Sequence, residues 1–354
     1  MKKFVFPLVF GLSLSGYTVY SVLDTLVLPD TNQILMDDDD NFQSIKTNNN
    51  DNNNNNDNND SNNNENNPEK PNNENNENTE HTEPVVITNS EEYLRYYKSD
   101  DLEVKIYKET IKTKDKSDNL VNTIVFCADV QVTSMEHFRG RFALNRDGKP
   151  TFGRNVYSKT SEIAANGNAI FAISGDNYAG REKGYVVRNG KSYRDKPRDK
   201  STGDEDLVIW YDGSFEIIEE TKTPLSQIMD DSKKPWQVFS FGPALVKNER
   251  IMVENDSEVT TGIAKNNGNQ RSVLGIIDPL HYFITISEGR LDDSYGQSLY
   301  EAAEYILSKG VKTAYNLDGG GSATIWFQGE VLNRPKAENG GIQEREIGDA
   351  ILFK

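Results

Sequence analysis

"HYFITISEGRLDDSYGQSLYEAAEYILSKGVKTAYNLDGGGS", residues 281–322, holds the pattern that decides the fold. Apolar and β-branched residues fill "HYFITIS" and "TAYNLD" and predict two strands. The segment between them predicts a helix, because Ser298 and Glu301 form a capping box and Gly310 suits the C-terminal stop. Strand, helix and strand in this order indicate a crossover between parallel strands that end at the same edge of a sheet.

The rest of the region from residue 85 to residue 354 predicts more strands than helices. Stretches such as "NTIVFCADVQV", "LVIWYDGSFEII" and "DAILF" are rich in β-branched and aromatic residues, and "YDGSF" and "RNGKSY" carry hairpin-turn signals. A second, short helix is predicted at "SKTSEIAANGN". We therefore expect one α+β domain at 85–354, with a mixed β-sheet and helices packed on it.

Two segments precede this domain. Lys2 and Lys3 stand before an apolar run from Phe4 to Leu23, which predicts a signal anchor at residues 1–28 with the domain outside the cell. A cleaved signal peptide is the alternative, although no clear cleavage site follows the run. Residues 29–84 predict a disordered linker, because they are dominated by Asn, Asp and Glu.

The acidic charge belongs mainly to the linker. Before Val85 lie 15 of the 56 acidic residues and 4 of the 39 basic residues, which leaves 41 acidic and 35 basic residues for the domain. No basic stripe is present to neutralise phosphates of a nucleic acid, so nucleic acid is not an expected partner.

The cysteine and histidine content excludes several kinds of site. Cys127 is the only cysteine, so internal disulfides and thiolate zinc sites are excluded, and its apolar surroundings predict a core residue. The histidines are His81, His137 and His281, and they are too few for a His-rich zinc centre.

Asp318 and the glycines after it are the first candidate site. Asp318 ends a predicted buried strand, and strand ends of this kind border ligand sites in α/β sheets. Gly319, Gly320 and Gly321 are expected to present bare backbone N–H groups to an anion, with Ser322 beside them. A tight turn that Asp318 caps is the alternative interpretation.

"AYNLDGGGSATIWFQGEVLNRP", residues 314–335, resembles the phosphodiester glycosidase family. The resemblance extends to "FAISGDNYAGREKGYVVRNGKSYRD", "WQVFSFGPALVKN", "NQRSVLGIIDPLHYFITISEGR" and "EREIGDAILF". The chain departs from the family pattern in that Ser174 stands where Asn is usual, Glu288 where Asp is common, and Ala323 where Ser is found. The resemblance implies hydrolysis of a sugar–phosphate bond on the glycosidic side.

Carboxyl groups and cations suited to that reaction are present. Cleavage of a glycoside usually needs two carboxyl groups, and Asp318 and Asp176 are the predicted pair, with Glu288 in reserve. A phosphodiester leaving group is weakly basic, so one carboxylate that activates water or stabilises an oxocarbenium-like centre could suffice, and the sequence does not show which of the two residues this is. Residues predicted to bind the substrate through guanidinium, amide, hydroxyl or backbone groups are Arg271, Arg290, Arg334, Arg345, Asn316, Asn333, Ser174, Ser322 and the three glycines 319–321. A sugar ring could stack on Trp326 or Phe327, although both fit core packing better.

No cofactor is required by this chemistry. Asp176, Asp318 and backbone carbonyls could hold Ca²⁺ through oxygen ligands, although their spacing matches no standard calcium loop. The first functional hypothesis is therefore an exported, membrane-tethered hydrolase that cleaves sugar 1-phosphodiesters in surface glycans. The alternatives are a non-catalytic glycan-binding protein and an exopolysaccharide assembly component of the same fold.

Overall fold

A computed structural model describes residues 33–36, 83–199, 204–254, 268–337 and 340–354. The predicted anchor at residues 1–28 lies outside the described residues, as does most of the predicted linker. Within the described ranges, no helix is both long and apolar enough to cross a membrane. Inside the predicted linker, Ile34 and Leu35 form a short strand, and Met36 packs with Phe142 and Tyr178. This part of the linker segment therefore contacts the domain.

The described residues are mostly β-sheet with few helices. In chain order the strands are β1 Ile34–Leu35, β2 Val85–Thr88, β3 Arg95–Lys98, β4 Leu102–Lys114, β5 Leu120–Val132, β6 Phe138–Phe142, β7 Thr151–Phe152, β8 Phe171–Ser174, β9 Val186–Arg188, β10 Lys191–Arg194, β11 Glu205–Trp210, β12 Phe215–Glu219, β13 Pro235–Phe239, β14 Ala244–Lys247, β15 Arg250–Ile251, β16 Ser272–Asp278, β17 His281–Ser287, β18 Thr313–Leu317, β19 Ile325–Phe327, β20 Glu330–Val331 and β21 Asp349–Phe353. The α-helices are α1 Thr160–Asn166, α2 Leu225–Met229 and α3 Leu299–Leu307.

The strands form three large sheets and one small pair. A nine-stranded sheet has the order β15-β14-β18-β16-β17-β5-β4-β3-β2, and two five-stranded sheets have the orders β10-β9-β13-β11-β12 and β20-β19-β8-β21-β6. Strand β1 pairs with β7. One apolar core joins the three large sheets, since Ile284, Phe239 and Phe171, one from each sheet, belong to the same cluster.

The two predicted helices, α1 and α3, pack on the sheets, and so does α2, which was not predicted. Ser298 Oγ accepts the Glu301 N–H at 3.1 Å, and the Glu301 carboxylate accepts the Ser298 N–H at 2.8 Å, so the predicted capping box is confirmed. The buried face of α3, at Leu299, Ala302, Ala303 and Ile306, covers the nine-stranded sheet. Helix α1 covers the sheet that contains β8, and α2 covers the sheet that contains β11.

The prediction of a mixed sheet is wrong for the described part of the chain, in which every strand ladder is antiparallel. Strands β17 and β18 run in the same direction, as the crossover predicted, but β16 lies between them and pairs antiparallel with both. Ser272 of β16 is opposite Ile286 on one side and opposite Leu317 on the other. The carboxyl ends of β17 and β18 therefore do share one edge, at the start of β16.

Candidate active site

The candidate site lies where strand ends from two sheets meet. Asp318 follows β18 of the nine-stranded sheet, and its backbone N–H donates to the Gly175 carbonyl at 3.2 Å. Gly175 follows β8, which belongs to a five-stranded sheet. Ser174 is completely buried between them, and its Oγ lies 3.5 Å from both Ser272 Oγ and the Asp318 carbonyl oxygen. The two predicted strand-end segments, around residues 174–176 and 318–322, are thus brought together.

The three glycines form a tight turn whose shape excludes side chains. A Cβ atom on Gly319 would lie 2.5 Å from the Gln270 carbonyl oxygen. Gly320 has a φ angle of +59°, a conformation that residues with side chains adopt at a cost. A Cβ atom on Gly321 would lie 3.2 Å from Ala337 Cα. Glycine is therefore needed here because neighbouring backbone lies close to residues 319 and 321, and because residue 320 has a left-handed backbone conformation.

The expectation of bare N–H groups is corrected for part of this turn. The Gly320 N–H donates to the Gln270 carbonyl at 2.9 Å, and the Ser322 N–H donates to the Gly319 carbonyl at 3.1 Å. The physical reason is that the chain just before β16 crosses the turn and supplies an acceptor. The tight-turn interpretation accounts for these bonds, and an anion at this corner must rely mainly on side chains.

Asp318 and Arg345 form the ion pair at the centre of the site. Arg345 Nη2 lies 3.0 Å from Oδ1 and 2.8 Å from Oδ2 of Asp318, and Arg345 Nε donates to Ser322 Oγ at 2.8 Å. The Asp318 side chain is 8% exposed, whereas that of Arg345 is 39% exposed. Burial raises the pKa of Asp318, and the opposing effects of Arg345 and the Ser322 hydroxyl do not cancel this rise.

Asp176, the second predicted carboxyl group, lies in a buried ionic network. Its Oδ1 pairs with Arg181, and its Oδ2 accepts the Ser240 N–H at 2.7 Å. Arg188 Nη2 lies 4.0 Å from Oδ2. Burial by itself would raise the pKa of Asp176, but Arg181 and Arg188 outweigh burial and lower it. Asp176 is 0% exposed, so its carboxylate has no surface open to a substrate in this arrangement.

Glu288, the third predicted carboxyl group, binds the neighbouring segment at Arg334. It is buried, and its oxygens accept the Arg334 backbone N–H at 2.7 Å and Arg334 Nη2 at 2.5 Å. The chain just after Arg334 packs on the glycine turn, because Lys336 exchanges two hydrogen bonds with the Gln270 side chain. Both Glu288 and Arg334 therefore support the wall of the site.

The other two predicted arginines differ in their placement. Arg271 is buried, and its Nε donates to the Gln297 carbonyl at 3.0 Å, which ties it to the chain before α3. Arg290 is exposed, and its Nη2 donates to Asn269 Oδ1 at 2.6 Å. Its guanidinium nitrogens lie 3.9 and 4.0 Å from the place where a Cβ of Gly320 would be. Arg290 is thus a second cation beside the glycine turn.

The predicted amide ligands are held by the backbone. Asn333 is buried, and its side chain bonds the Ile325 N–H at 3.0 Å and the Ala323 carbonyl at 2.8 Å. Asn316 Nδ2 donates to the Gly242 carbonyl at 2.8 Å, while its buried Oδ1 has no hydrogen-bond partner within the described part of the chain. Trp326 and Phe327 are buried in apolar clusters, as the core interpretation predicted.

Four polar residues of the network around Asp176 were not identified from the sequence: Arg181, Arg188, Ser240 and Asp349. Arg188 Nε donates to Asp349 Oδ2 at 2.7 Å, and Asp349 Oδ1 accepts the Asp176 N–H at 2.7 Å. One sequence signal was available, because Arg188 and Asp349 are single charged residues at the borders of apolar strands. No local pattern shows that they meet.

The described residues offer no ready metal centre. They contain no group of three or more His, Cys, Asp or Glu side chains that could hold a metal ion. The carboxylates of Asp176 and Asp318 already face guanidinium groups. A calcium ion at these two residues stays a prediction, and it would have to displace Arg181 and Arg345.

Comparison with known proteins places the candidate site within a matched family region. The family model described as phosphodiester glycosidase matches residues 159–354, a range that includes every predicted site residue. The SPbeta prophage-derived uncharacterized protein YomE of Bacillus subtilis (strain 168) is 26% identical over 184 residues. That match covers 51% of this chain and 28% of YomE, so the chain spans less than a third of this relative's length.

A solved structure shows a similar fold. The catalytic domain of zebrafish N-acetylglucosamine-1-phosphodiester alpha-N-acetylglucosaminidase (NAGPA), auto-inhibited by its pro-peptide, aligns with a TM-score of 0.55 at 19% identity. The alignment covers 77% of this chain and 87% of the zebrafish chain. A hypothetical protein from Synechocystis aligns with a TM-score of 0.44 at 12% identity, over 72% of this chain and 62% of that chain.

Proposed function

The chain belongs to the phosphodiester glycosidase family, and from that premise we propose that it hydrolyses the glycosidic bond of sugar 1-phosphodiesters. The observation that carries this proposal is the Asp318–Arg345 pair beside the glycine turn. It joins a buried carboxylate, which can move a proton, to a guanidinium, whose planar fork matches a phosphate.

The phosphate of the substrate binds between the two cations at the turn. Arg345 approaches the turn at Gly321, and Arg290 approaches it at Gly320. Arg290 has a φ angle of +59°, which is unusual for a residue with a long side chain and is typical of positions constrained for function. A phosphodiester carries one negative charge, so these two guanidinium groups are sufficient to hold it.

The reaction needs one carboxylate in this arrangement. A water oxygen attacks the anomeric carbon, the bond from that carbon to the phosphate oxygen breaks, and its electron pair stays on the phosphate. The proton lost by the water passes to Asp318, whose burial raises the pKa of its carboxyl group and so favours proton uptake. Asp176 acts indirectly, because its buried carboxylate holds Arg181 in place.

The natural substrate and the location of the protein are further parts of this proposal. A glycosyl phosphodiester in a surface polymer, such as a teichoic-acid-like or capsular glycan, fits a domain that is exported and tethered by the segment at residues 1–28. A catalytically silent glycan-binding protein is the second candidate. It is favoured by one observation, namely that Arg345 covers Asp318.

Sugar release from an aryl or UDP-type α-glycosyl phosphodiester tests the proposal. We expect the full chain to release sugar, and Asp318→Asn to lower the rate by about 10²–10⁴-fold, the usual contribution of a general base. The matched control is Asp278→Asn, an exposed carboxylate at the opposite end of β16 that pairs with Lys312. Equal release by wild type and Asp318→Asn would exclude the role of Asp318. Glycan binding without release would favour the second candidate.

A further inference from the structure

Arg345 covers the carboxylate that the proposed reaction uses. The Asp318 side chain is 8% exposed, and the guanidinium that contacts both its oxygens belongs to a residue with a 39% exposed side chain. With the guanidinium in contact with both oxygens, little of the carboxylate is left for a water molecule or a substrate to reach. The closed pair is therefore a resting arrangement.

The charges around Asp318 show how its pairing with Arg345 affects the ionisation of the carboxyl group. The charged and hydrogen-bonding groups that act on its carboxyl are Arg345 and Ser322, which favour the ionised form, and Asp176, which disfavours it. Arg345 is the main group that favours the ionised form of Asp318, whereas burial works against its charge. Arg345 makes Asp318 a weaker base than burial alone would make it, since the nearby positive charge opposes proton uptake.

A phosphate is the group best able to take the guanidinium away. It offers several acceptor oxygens in the geometry that a guanidinium prefers, and it carries its own negative charge. Arg345 lies in the segment 340–346, most of which is exposed, and the nearby Arg290 adds positive charge that draws an anion to the turn. A neutral glycoside has no charge with which to compete for Arg345.

We propose that Arg345 is a specificity-determining counter-ion, which the phosphate of a bound glycosyl phosphodiester takes from Asp318, so that the carboxylate is uncovered for the attacking water only when a phosphate is present. This inference rests on the proposed function and concerns the same site. It explains how one carboxylate can act on phosphodiesters while leaving ordinary glycosides intact. After the exchange, Asp318 is a stronger base, because the cation that opposed proton uptake has gone.

Two substrates test the exchange in the full chain. For an α-glycosyl phosphodiester we expect Arg345→Gln to lower kcat/KM by about 10²–10³-fold, the size of effect seen when a charge-stabilising donor is lost. For the matching neutral aryl α-glycoside we expect kcat/KM to stay the same or rise, because Asp318 is now uncovered. Arg154→Gln is the control, since Arg154 is exposed and pairs with Glu182 at the surface. An equal fall for both substrates would show that Arg345 is merely structural and would overturn the proposal.

A binding measurement on the wild-type chain tests the exchange without turnover. Sulfate is the probe, because it is an anion with phosphate-like geometry that does not titrate near neutral pH. Calorimetry in buffers with different heats of ionisation, repeated from neutral to mildly acidic pH, should show proton uptake on sulfate binding that grows as the pH falls, because the pKa of Asp318 rises once Arg345 has left it. At neutral pH little uptake is expected, since a general base must stay ionised. In Asp318→Asn sulfate should still bind, and the uptake should disappear.

The calorimetry distinguishes a failure of the Arg345 exchange from a failure of the proposed hydrolase activity. Sulfate binding without proton uptake at any pH in this range, or no sulfate binding at all, would overturn the exchange of Arg345. Proton uptake in a chain that releases no sugar from any glycosyl phosphodiester would support the exchange and reject the hydrolase, so the two failures are distinguishable.

Discussion

Arg188 Nε donates to Asp349 Oδ2 at 2.7 Å, and both side chains are completely buried next to Asp176. The same Asp349 carboxylate accepts the Asp176 N–H, and Arg188 also lies near the Asp176 carboxylate. This pair therefore joins strand β9 to strand β21 directly beside the chain that carries the candidate site. Its integrity decides how firmly Asp176 and Arg181 are positioned.

Removing one partner of this pair is expected to destabilise the domain strongly. Arg188→Met removes positive charge from beside two buried carboxylates, Asp176 and Asp349. Breaking a buried ion pair in this way typically lowers the free energy of unfolding by about 3–5 kcal/mol. The double variant Arg188→Met with Asp349→Asn should lose less than the two single variants together, because it removes the Asp349 charge and leaves only Asp176, which keeps Arg181 as its partner. Denaturant unfolding of the four proteins measures the coupling. Additive losses would show that the two side chains act independently.

The pH dependence of stability follows from the same buried carboxyls. Burial raises the pKa of Asp349 to about 6, and it also raises the pKa of Asp318 and of Asp206. Between the unfolded and folded values the folded state keeps a proton that the unfolded state releases, so stability falls as the pH rises through this window. We expect the Tm to increase when the pH is lowered from about 7 to about 5.

At lower pH the dependence of stability on pH has the opposite sign, and stability falls as the pH is lowered. The pKa of Asp176 and that of Glu109 are lowered in the folded state, since nearby Arg and Lys side chains outweigh burial. Their stabilisation is lost as the pH falls toward the folded values. Thermal melts at constant ionic strength should therefore show a maximum in mildly acidic buffer. In Asp349→Asn the rise toward this maximum should be smaller, and an unchanged rise would contradict the contribution of Asp349.

The elements that the sequence predicted best are the ones that local residues determine. The α3 cap depends on Ser298 and Glu301, three residues apart, and the Asn189-Gly190 hairpin depends on two residues with positive φ. The position of β16 between β17 and β18 depends on long-range pairing instead. Nothing within residues 281–322 indicates that an earlier strand will enter the crossover, so the mixed-sheet prediction was wrong.

The candidate site also combines features that local residues determine with features that depend on long-range packing. The place of Asp318 at a strand end was predictable, because the apolar strand and the glycines are adjacent in the sequence. The hydrogen bond from the Gly320 N–H to the Gln270 carbonyl was not predictable, because the acceptor lies in a segment 50 residues away. Asp176 was identified, but its burial by Arg181 and Arg188 arises from the packing of separate sheets.

Alanine substitutions at two adjacent glycines should have unequal effects. In Gly319→Ala the new Cβ meets the Gln270 carbonyl at 2.5 Å, so the backbone next to Asp318 must shift. A displacement of about 1 Å at a reacting group can lower the rate by about 10²-fold. In Gly320→Ala the nearest atoms are Arg290 nitrogens 3.9 Å away, and the left-handed backbone costs only about 1–2 kcal/mol.

Sugar release and unfolding measured side by side check this prediction. Gly319→Ala should lose about 10²-fold in rate, whereas Gly320→Ala should remain within about tenfold of wild type. The opposite order would mean that the contact with Gln270 is not what requires glycine at position 319.

Ser174→Asn introduces the residue usual in the family, and we expect it to destabilise this chain. Ser174 is completely buried, and its Oγ already lies 3.5 Å from Ser272 Oγ and from the Asp318 carbonyl oxygen. A larger side chain must displace one of them, and overpacking of this kind costs about 1–3 kcal/mol. Ser174→Ala should cost less than about 1 kcal/mol, because hydrogen bonds at 3.5 Å are weak. If Ser174→Asn instead unfolds like wild type and releases sugar faster, then the surroundings of Ser174 have kept space for asparagine, and serine at this position limits the activity.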